Sequence, residues 1–180
     1  MKTKILAIDL ADAGLTPLDS DTWAELKAAV DALDIGVLIN NAGQVQGDPS
    51  EFHLIEASSL DSTVALNDVA VLKVTHLVLP GMVNRRRGAI VNVSSVLSAL
   101  PAAPLVSLYA STKGFLDTFS KSIAAEYGPK GIHVQVRTVQ PVVCAPIHTV
   151  AHFLTGPFLC FHSCHWLSAF TRGQAAVSAW

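Results

Sequence analysis

The stretch "GAIVNVSSVLSALPAAPLVSLYASTKGFLDTFSKSIAAEYGPKGIHVQVRTV", residues 88–139, holds two apolar runs separated by a long segment of a different period. The runs "AIVNV" and "HVQVRTV" are short and rich in Ile and Val, as strands buried in a parallel sheet are. Between them, from about Tyr109, the sequence lays Phe115, Leu116, Phe119 and Ile123 along one helical face and stops at Gly128-Pro129. Strand, helix and strand in this order form one βαβ unit, so residues 88–139 already predict an α/β fold.

The preceding residues repeat the pattern. "KILAID" and "GVLIN" are two further strand-like runs, and "TWAELKAAVDAL" is a helical segment that opens with Thr22 and Glu25 at capping-box spacing. A longer helical segment runs from about Leu60 to Arg86 and carries Asn67 in its middle. The predicted fold is a doubly wound parallel α/β sheet of the Rossmann-like kind. After Pro141 the texture changes, because no Asp, Glu, Lys or Arg occurs until Arg172 and neither period persists. The expected organisation is one domain over residues 1–143 and a tail, 144–180, without readable structure. The charge-free part of the tail approaches the length of a membrane span, but its histidines and Gly156-Pro157 dilute it.

Composition narrows the function classes. With 180 residues, 51% of them hydrophobic and 14% charged, the chain has material for one sizeable core. A net charge of −2, with Arg85-Arg86-Arg87 as the one dense basic run, provides no field for nucleic acid. Cys144, Cys160 and Cys164 are too few and too clustered for a secreted disulfide framework, which points to a reducing compartment. Cys160, His162, Cys164 and His165 crowd together, whereas structural zinc sites combine two separated pairs, so no metal site is expected. Asp9 interrupts the first apolar run before it reaches the length of a signal peptide.

Chemistry enters with "YASTK". Tyr109 and Lys113 stand four residues apart, about one helical turn, so a phenol and an ammonium share a face. Upstream, in order, come "NNAG" (Asn40 to Gly43) after the second strand, Asn67 in the long helix and "NVSS" (Asn92 to Ser95) after the third strand. Singly each is weak, but the ordered set resembles the short-chain dehydrogenase/reductase family.

The resemblance implies reduction of a small-molecule carbonyl. A carbonyl that accepts hydride develops negative charge on oxygen and needs a proton donor in reach. Tyr109 would be that donor. A free tyrosine has a pKa of about 10, and bringing it to about 7 takes roughly 4 kcal/mol of preference for the phenolate, much of which a nearby ammonium supplies. Lys113 would supply it and would also hold the nicotinamide ribose, while Asn67 would support a proton relay. The substrate-orienting serine would be Ser95, one residue removed from the usual family position, which here is Val96; Ser94 and Ser98 are the alternatives. On the cofactor side the resemblance implies Asp9 near the adenine, Asn40, Ala42 and Gly43 beside the adenosine, Tyr109 and Lys113 at the nicotinamide end, and Pro141 by the carboxamide. The family threonine after that proline is replaced by Pro146.

Within the family, "DIGVLINNAG", "VLPGMVNRRRGAIVNVSS" and "YASTKGFLDTFSKSIAAEYGPKGIHVQ" look most like the branch that contains very-long-chain 3-oxoacyl-CoA reductase and 17-beta-hydroxysteroid dehydrogenase type 12. That branch implies NADP(H), with NAD the alternative, lipid or steroid ketone substrates, and association with the endoplasmic reticulum membrane; the family otherwise implies the cytoplasm. Family members pair through the long helix and the tyrosine helix, which implies a homodimer. One departure is large: none of the eleven glycines forms the TGxxxGxG turn that follows the family's first strand. The sequence reads as beginning at the family's third strand, without the first βαβ unit, which would leave the middle of the sheet unpaired. The competing expectation is therefore a catalytically silent fragment that serves, if at all, as an interaction module.

Overall fold

The computed structural model describes the backbone of residues 3–139, 149–154 and 158–163, and side chains over residues 6–139. Six strands form one sheet: β1 (Thr3–Ala7), β2 (Val37–Asn40), β3 (Gly88–Ser95), β4 (Ile132–Val139), β5 (Thr149–Leu154) and β6 (Phe158–Ser163). Their spatial order is β1-β5-β6-β2-β3-β4. β2, β3 and β4 are parallel neighbours, with Val37 opposite Ala89 and Gly88 opposite Ile132. These three strands and their helices build the α/β, Rossmann-like class that the sequence predicts.

The strands alternate as half-buried strands must. In β2, Leu38 and Asn40 are buried while Val37 and Ile39 are partly exposed; in β3, Ile90, Asn92 and Ser94 point to the same packed side. That side receives Val74, Val78 and Met82 from α4 (Ala70–Arg85) and Ile123 from α5 (Ser107–Tyr127). The predicted stripe on α5 splits: Leu116 and Ile123 enter the core, whereas Phe115 and Phe119 stack on each other further out.

Three local features differ from the sequence reading. The helix α2 (Asp21–Asp31) starts before Thr22 with Ser20 as its N-cap, so the Thr22–Glu25 capping box does not form; Ser20 Oγ instead donates to the Pro17 carbonyl. A short helix, α1 (Leu10–Leu15), follows β1 where no helical period was legible. Its Gly14 is required by contact, since a Cβ there would lie 2.5 Å from the Ala65 carbonyl oxygen. The third difference is in the tail. β6 pairs in parallel with β2, and β5 pairs antiparallel with both β6 and β1, so the flank of β2 expected to be unpaired has a partner. Cys144, Cys164, His165, Pro141 and Pro146 lie outside the described residues.

The long helical segment is continuous from Ala57 to Arg85, as α3 (Ala57–Val64), a π-helical turn (Ala65–Val69) and α4. Among the described residues it is the one helix long and apolar enough to cross a membrane. Val74, Val78 and Met82 bury it against the sheet. At its basic end Arg85 and Arg87 both pair with Asp34, at 2.6 and 3.2 Å.

Candidate active site

The carboxyl ends of β2 and β3 and the first turns of α5 meet at one edge of the sheet, the position where open α/β sheets bind their ligands. Tyr109 and Lys113 are both buried, at 8% and 4% exposure, and the Lys113 ammonium lies 5.6 Å from the centre of the Tyr109 ring. Lys113 Nζ donates to the Val93 carbonyl at 3.0 Å, which ties the α5 side chain to β3 two residues before Ser95. Burial lowers the Lys113 pKa to about 8, and the opposite charge of Asp68 partly restores it.

Asn67 sits in the π-helical turn, an irregularity often found at functional sites. The extra residue of that turn aims its amide at the loop after β2. Asn67 Oδ1 accepts from Gln44 N and Nδ2 donates to the Gln44 carbonyl, both at 2.9 Å, while Nδ2 also donates to Thr112 Oγ1 on α5. Gly43 fits between them. A Cβ there would lie 3.1 Å from Lys113 Nζ and 3.3 Å from Asn67 Oδ1, so any side chain would crowd the ammonium. Gly43, Asn67, Tyr109 and Lys113 are thus brought together. Ala42, next to Gly43, is buried in the core.

The three serines separate by their hydrogen bonds. Ser94 Oγ donates to the Lys113 carbonyl, and Ser98 Oγ reaches the Ser95 carbonyl and Asp117 Oδ2. Ser95 Oγ accepts from Leu97 N at 3.3 Å, so of these three it is the serine whose hydroxyl hydrogen is given to no protein group among the described residues. It ends β3 beside the Lys113 anchor.

The remaining predicted positions are placed elsewhere. Asn40 Nδ2 donates to Asn92 Oδ1 at 2.8 Å, and Asn92 Nδ2 donates to Ser120 Oγ at 2.8 Å, forming a buried polar chain from β2 through β3 to α5. Asp9 is exposed and caps α1, accepting from Ala11 N and Asp12 N. Pro141 lies outside the described residues.

Sequence reasoning missed two polar groups. Asp68 follows Asn67 in the π turn; its Oδ1 is buried with no hydrogen-bond partner among the described residues, and burial raises its pKa to about 7 against the lowering effect of Lys113. Gln46 is 6% exposed in an irregular loop. No period flags a buried loop glutamine, whereas an acid beside the helix asparagine was a signal to be read. A separate cleft of about 550 Å³ between α2 and α4, lined by Lys27, His76 and Arg85, contains none of these residues.

A buried phenol and a buried ammonium thus share the carboxyl edge of a parallel α/β sheet, the place where open sheets of this class present their ligands. Sequence comparison gives the family. A family model described as short chain dehydrogenase matches residues 4–151, and the chain belongs to that family. The very-long-chain 3-oxoacyl-CoA reductase of Mus musculus is 40% identical over 149 residues, covering 81% of this chain and 44% of that protein. The same enzyme of Homo sapiens is 37% identical over 139 residues, covering 75% and 41%. The chain thus spans under half the length of these curated relatives. Among solved structures, a short-chain dehydrogenase from Sphingobium yanoikuyae in complex with NADPH superposes with a TM-score of 0.62 at 32% identity, over 73% of this chain and 48% of that one. A bulky-bulky ketone specific alcohol dehydrogenase from Comamonas testosteroni gives 0.64 at 30% identity, over 77% and 55%.

Proposed function

We propose that this chain carries the catalytic half of an NADPH-linked carbonyl reductase acting on a 3-oxoacyl-CoA or a related lipid or steroid ketone. The observation that carries the reading is the Lys113 ammonium, buried 5.6 Å from the Tyr109 ring and anchored on the Val93 carbonyl. The relatives named above supply the substrate class, and the NADPH-bound neighbour supports the cofactor.

The residues present fit the nicotinamide end of a dinucleotide. Glycine at position 43 keeps the surroundings of the ammonium open, and Lys113 and Tyr109 offer the donors that ribose hydroxyls need. The bound cofactor would supply hydride to the carbonyl carbon. Tyr109 gives its hydroxyl proton to the carbonyl oxygen as charge develops there. Lys113 lowers the cost of the phenolate left behind. Ser95, with its hydroxyl hydrogen uncommitted, orients the carbonyl oxygen. Asn67 holds the loop after β2 against α5 and so supports the path by which the lysine regains its proton. A second copy pairs through α4 and α5, where Leu72 and Phe115 are exposed. The resemblance to that branch supports a site of action at the endoplasmic reticulum membrane.

A second reading is a family member that binds no dinucleotide. It is favoured by the occupation of the place beside β2 by β6. NADPH fluorescence separates the two. Quenching or a spectral shift at millimolar cofactor, together with NADPH consumption on adding a 3-oxoacyl-CoA, supports the reductase; neither response supports the silent form.

A further inference from the structure

The catalytic helix has no N-cap of its own. Its N-cap residue is Val106, which offers no side-chain acceptor, so the amide hydrogens of the first turn lack the usual partner. One of them, Tyr109 N–H, is taken by a residue from a different loop: Gln46 Oε1 accepts it at 3.2 Å. The other end of the same amide, Gln46 Nε2, donates to the Leu105 carbonyl at 3.1 Å. Leu105 has φ of 65°, a left-handed conformation that non-glycine residues adopt only when their surroundings enforce it. Its carbonyl also accepts from Ser50 N at 2.9 Å, so two donors from the loop after β2 hold the bend that delivers the chain into α5.

We propose that Gln46 is a positioning residue for Tyr109, capping the catalytic helix from the loop after β2 and fixing the bend before it. The inference rests on the reading of Tyr109 as proton donor. Asn67 holds the same loop two residues earlier, at Gln44, and also reaches Thr112 on α5. The loop is therefore tied to α5 at two heights, by Asn67 below the tyrosine and by Gln46 above it. Rotating or fraying the first turn of α5 would move the phenol relative to Lys113 while leaving Lys113 on its Val93 anchor. Among the described residues the charged group acting on Lys113 is Asp68 from the π turn, while Asp117, a turn further along α5, accepts from Ser98 Oγ.

The chain has only two tyrosines, so Tyr127→Phe leaves Tyr109 as the one phenol and its ultraviolet phenolate band reports Tyr109 alone. In that background Gln46→Met, which keeps the shape and removes both polar arms, should shift the titration of the phenol upward, because the first turn of α5 no longer holds the ring against the Lys113 ammonium. The Tyr109 amide should lose its protection against hydrogen exchange while the amides around Ile123 keep theirs. Gln46→Glu, which restores an acceptor, should restore the amide protection. If Gln46 were only a loop tie, Gln46→Met would lower stability and leave the phenol's ionisation where it was; that result overturns the proposal. If Gln46→Met fails to fold, Gln46→Glu decides by itself, because an unprotected Tyr109 amide in that variant refutes the cap. In a reductase assay Gln46→Met should lower kcat with KM unchanged. A wild type that reduces no ketone would overturn the functional reading and leave the titration and exchange to judge the brace.

Discussion

The two halves of the sheet were assembled by different means. In the half made of β2, β3 and β4, strands adjacent in space are consecutive along the chain, joined by α4 and α5. In the half made of β1, β5 and β6, the first strand lies beside one from the far end, with Thr3 opposite Leu154. Every side chain of the candidate site that is brought to Lys113 belongs to the first half or to the helices on it. The difference teaches that the proposed chemistry falls on the locally connected half, where each element specifies its neighbour, while the other half contributes hydrogen-bonded support whose loss should be felt as stability.

The largest effect expected from breaking this division is on activity. Tyr109→Phe removes one oxygen from the chemical half and, in NADPH-linked reduction of a 3-oxoacyl-CoA, should lower kcat by roughly 10²- to 10⁴-fold with little change in melting temperature. Retained turnover would remove the phenol from the mechanism. Next comes the supporting half. Cys160 sits in β6 opposite Ile39 of β2 and His152 of β5. Cys160→Pro deletes a ladder donor from a strand flanked on both sides and should cost about 3 kcal/mol in urea unfolding. An unchanged unfolding curve would show that the two halves are not energetically one sheet. A smaller loss, about 2 kcal/mol, is expected for Asn92→Ala, which takes from the buried Asn40 amide its shorter acceptor and from Ser120 Oγ its donor, leaving them Thr75 Oγ1 and the Leu116 carbonyl.

Legibility followed the same division. Residues 88–139 could be read because strand, helix and stop signals lie within one continuous stretch, and the helix ended at Tyr127 with Gly128 as its cap as the Gly-Pro pair implied. Tyr109 and Lys113 were legible because helical spacing is a local rule, and the structure sets their buried side chains together. The pairing of β5 with β1 obeys no local rule, since strand partners that distant are chosen by burial and edge completion. The runs "TVAHFL" and "FLCFHS" around Gly156-Pro157 were a turn signal that lacked charges to mark one face as solvent. Thr22 and Glu25 had capping-box spacing, but Ser20 lay two residues earlier and the helix began there. In the site, the roles of Gln44, Gln46 and Thr112 arise from loop contacts across more than twenty residues, which no spacing pattern encodes.

The smallest effect tests the one place where the chemical half stores two charges out of water. Asp68 is raised by burial from 3.8 to about 7 and Lys113 is lowered by burial from 10.5 to about 8, each partly compensated by the other. The folded chain holds the Asp68 proton more tightly than the unfolded chain, so this contribution to stability is full below about pH 4 and is lost as pH rises through 7. Lys113 holds its proton less tightly when folded, so its contribution is full above about pH 10.5 and is lost as pH falls through 8. The two together place a trough in stability between about pH 7 and 8, where both are charged and each is needed to offset the burial of the other. Asp68→Asn should abolish the decline between pH 4 and 7 in urea unfolding. It should also move the alkaline rise to lower pH, because Lys113 loses the charge that holds its proton on. If the alkaline rise begins at the same pH in wild type and in Asp68→Asn, the two groups are not coupled. A coupled result has a consequence for the proposed catalysis, since a lysine that sheds its proton earlier leaves Tyr109 without a cation at working pH, and the acid in the π turn then ranks with the helix asparagine as a support of the proposed proton donor.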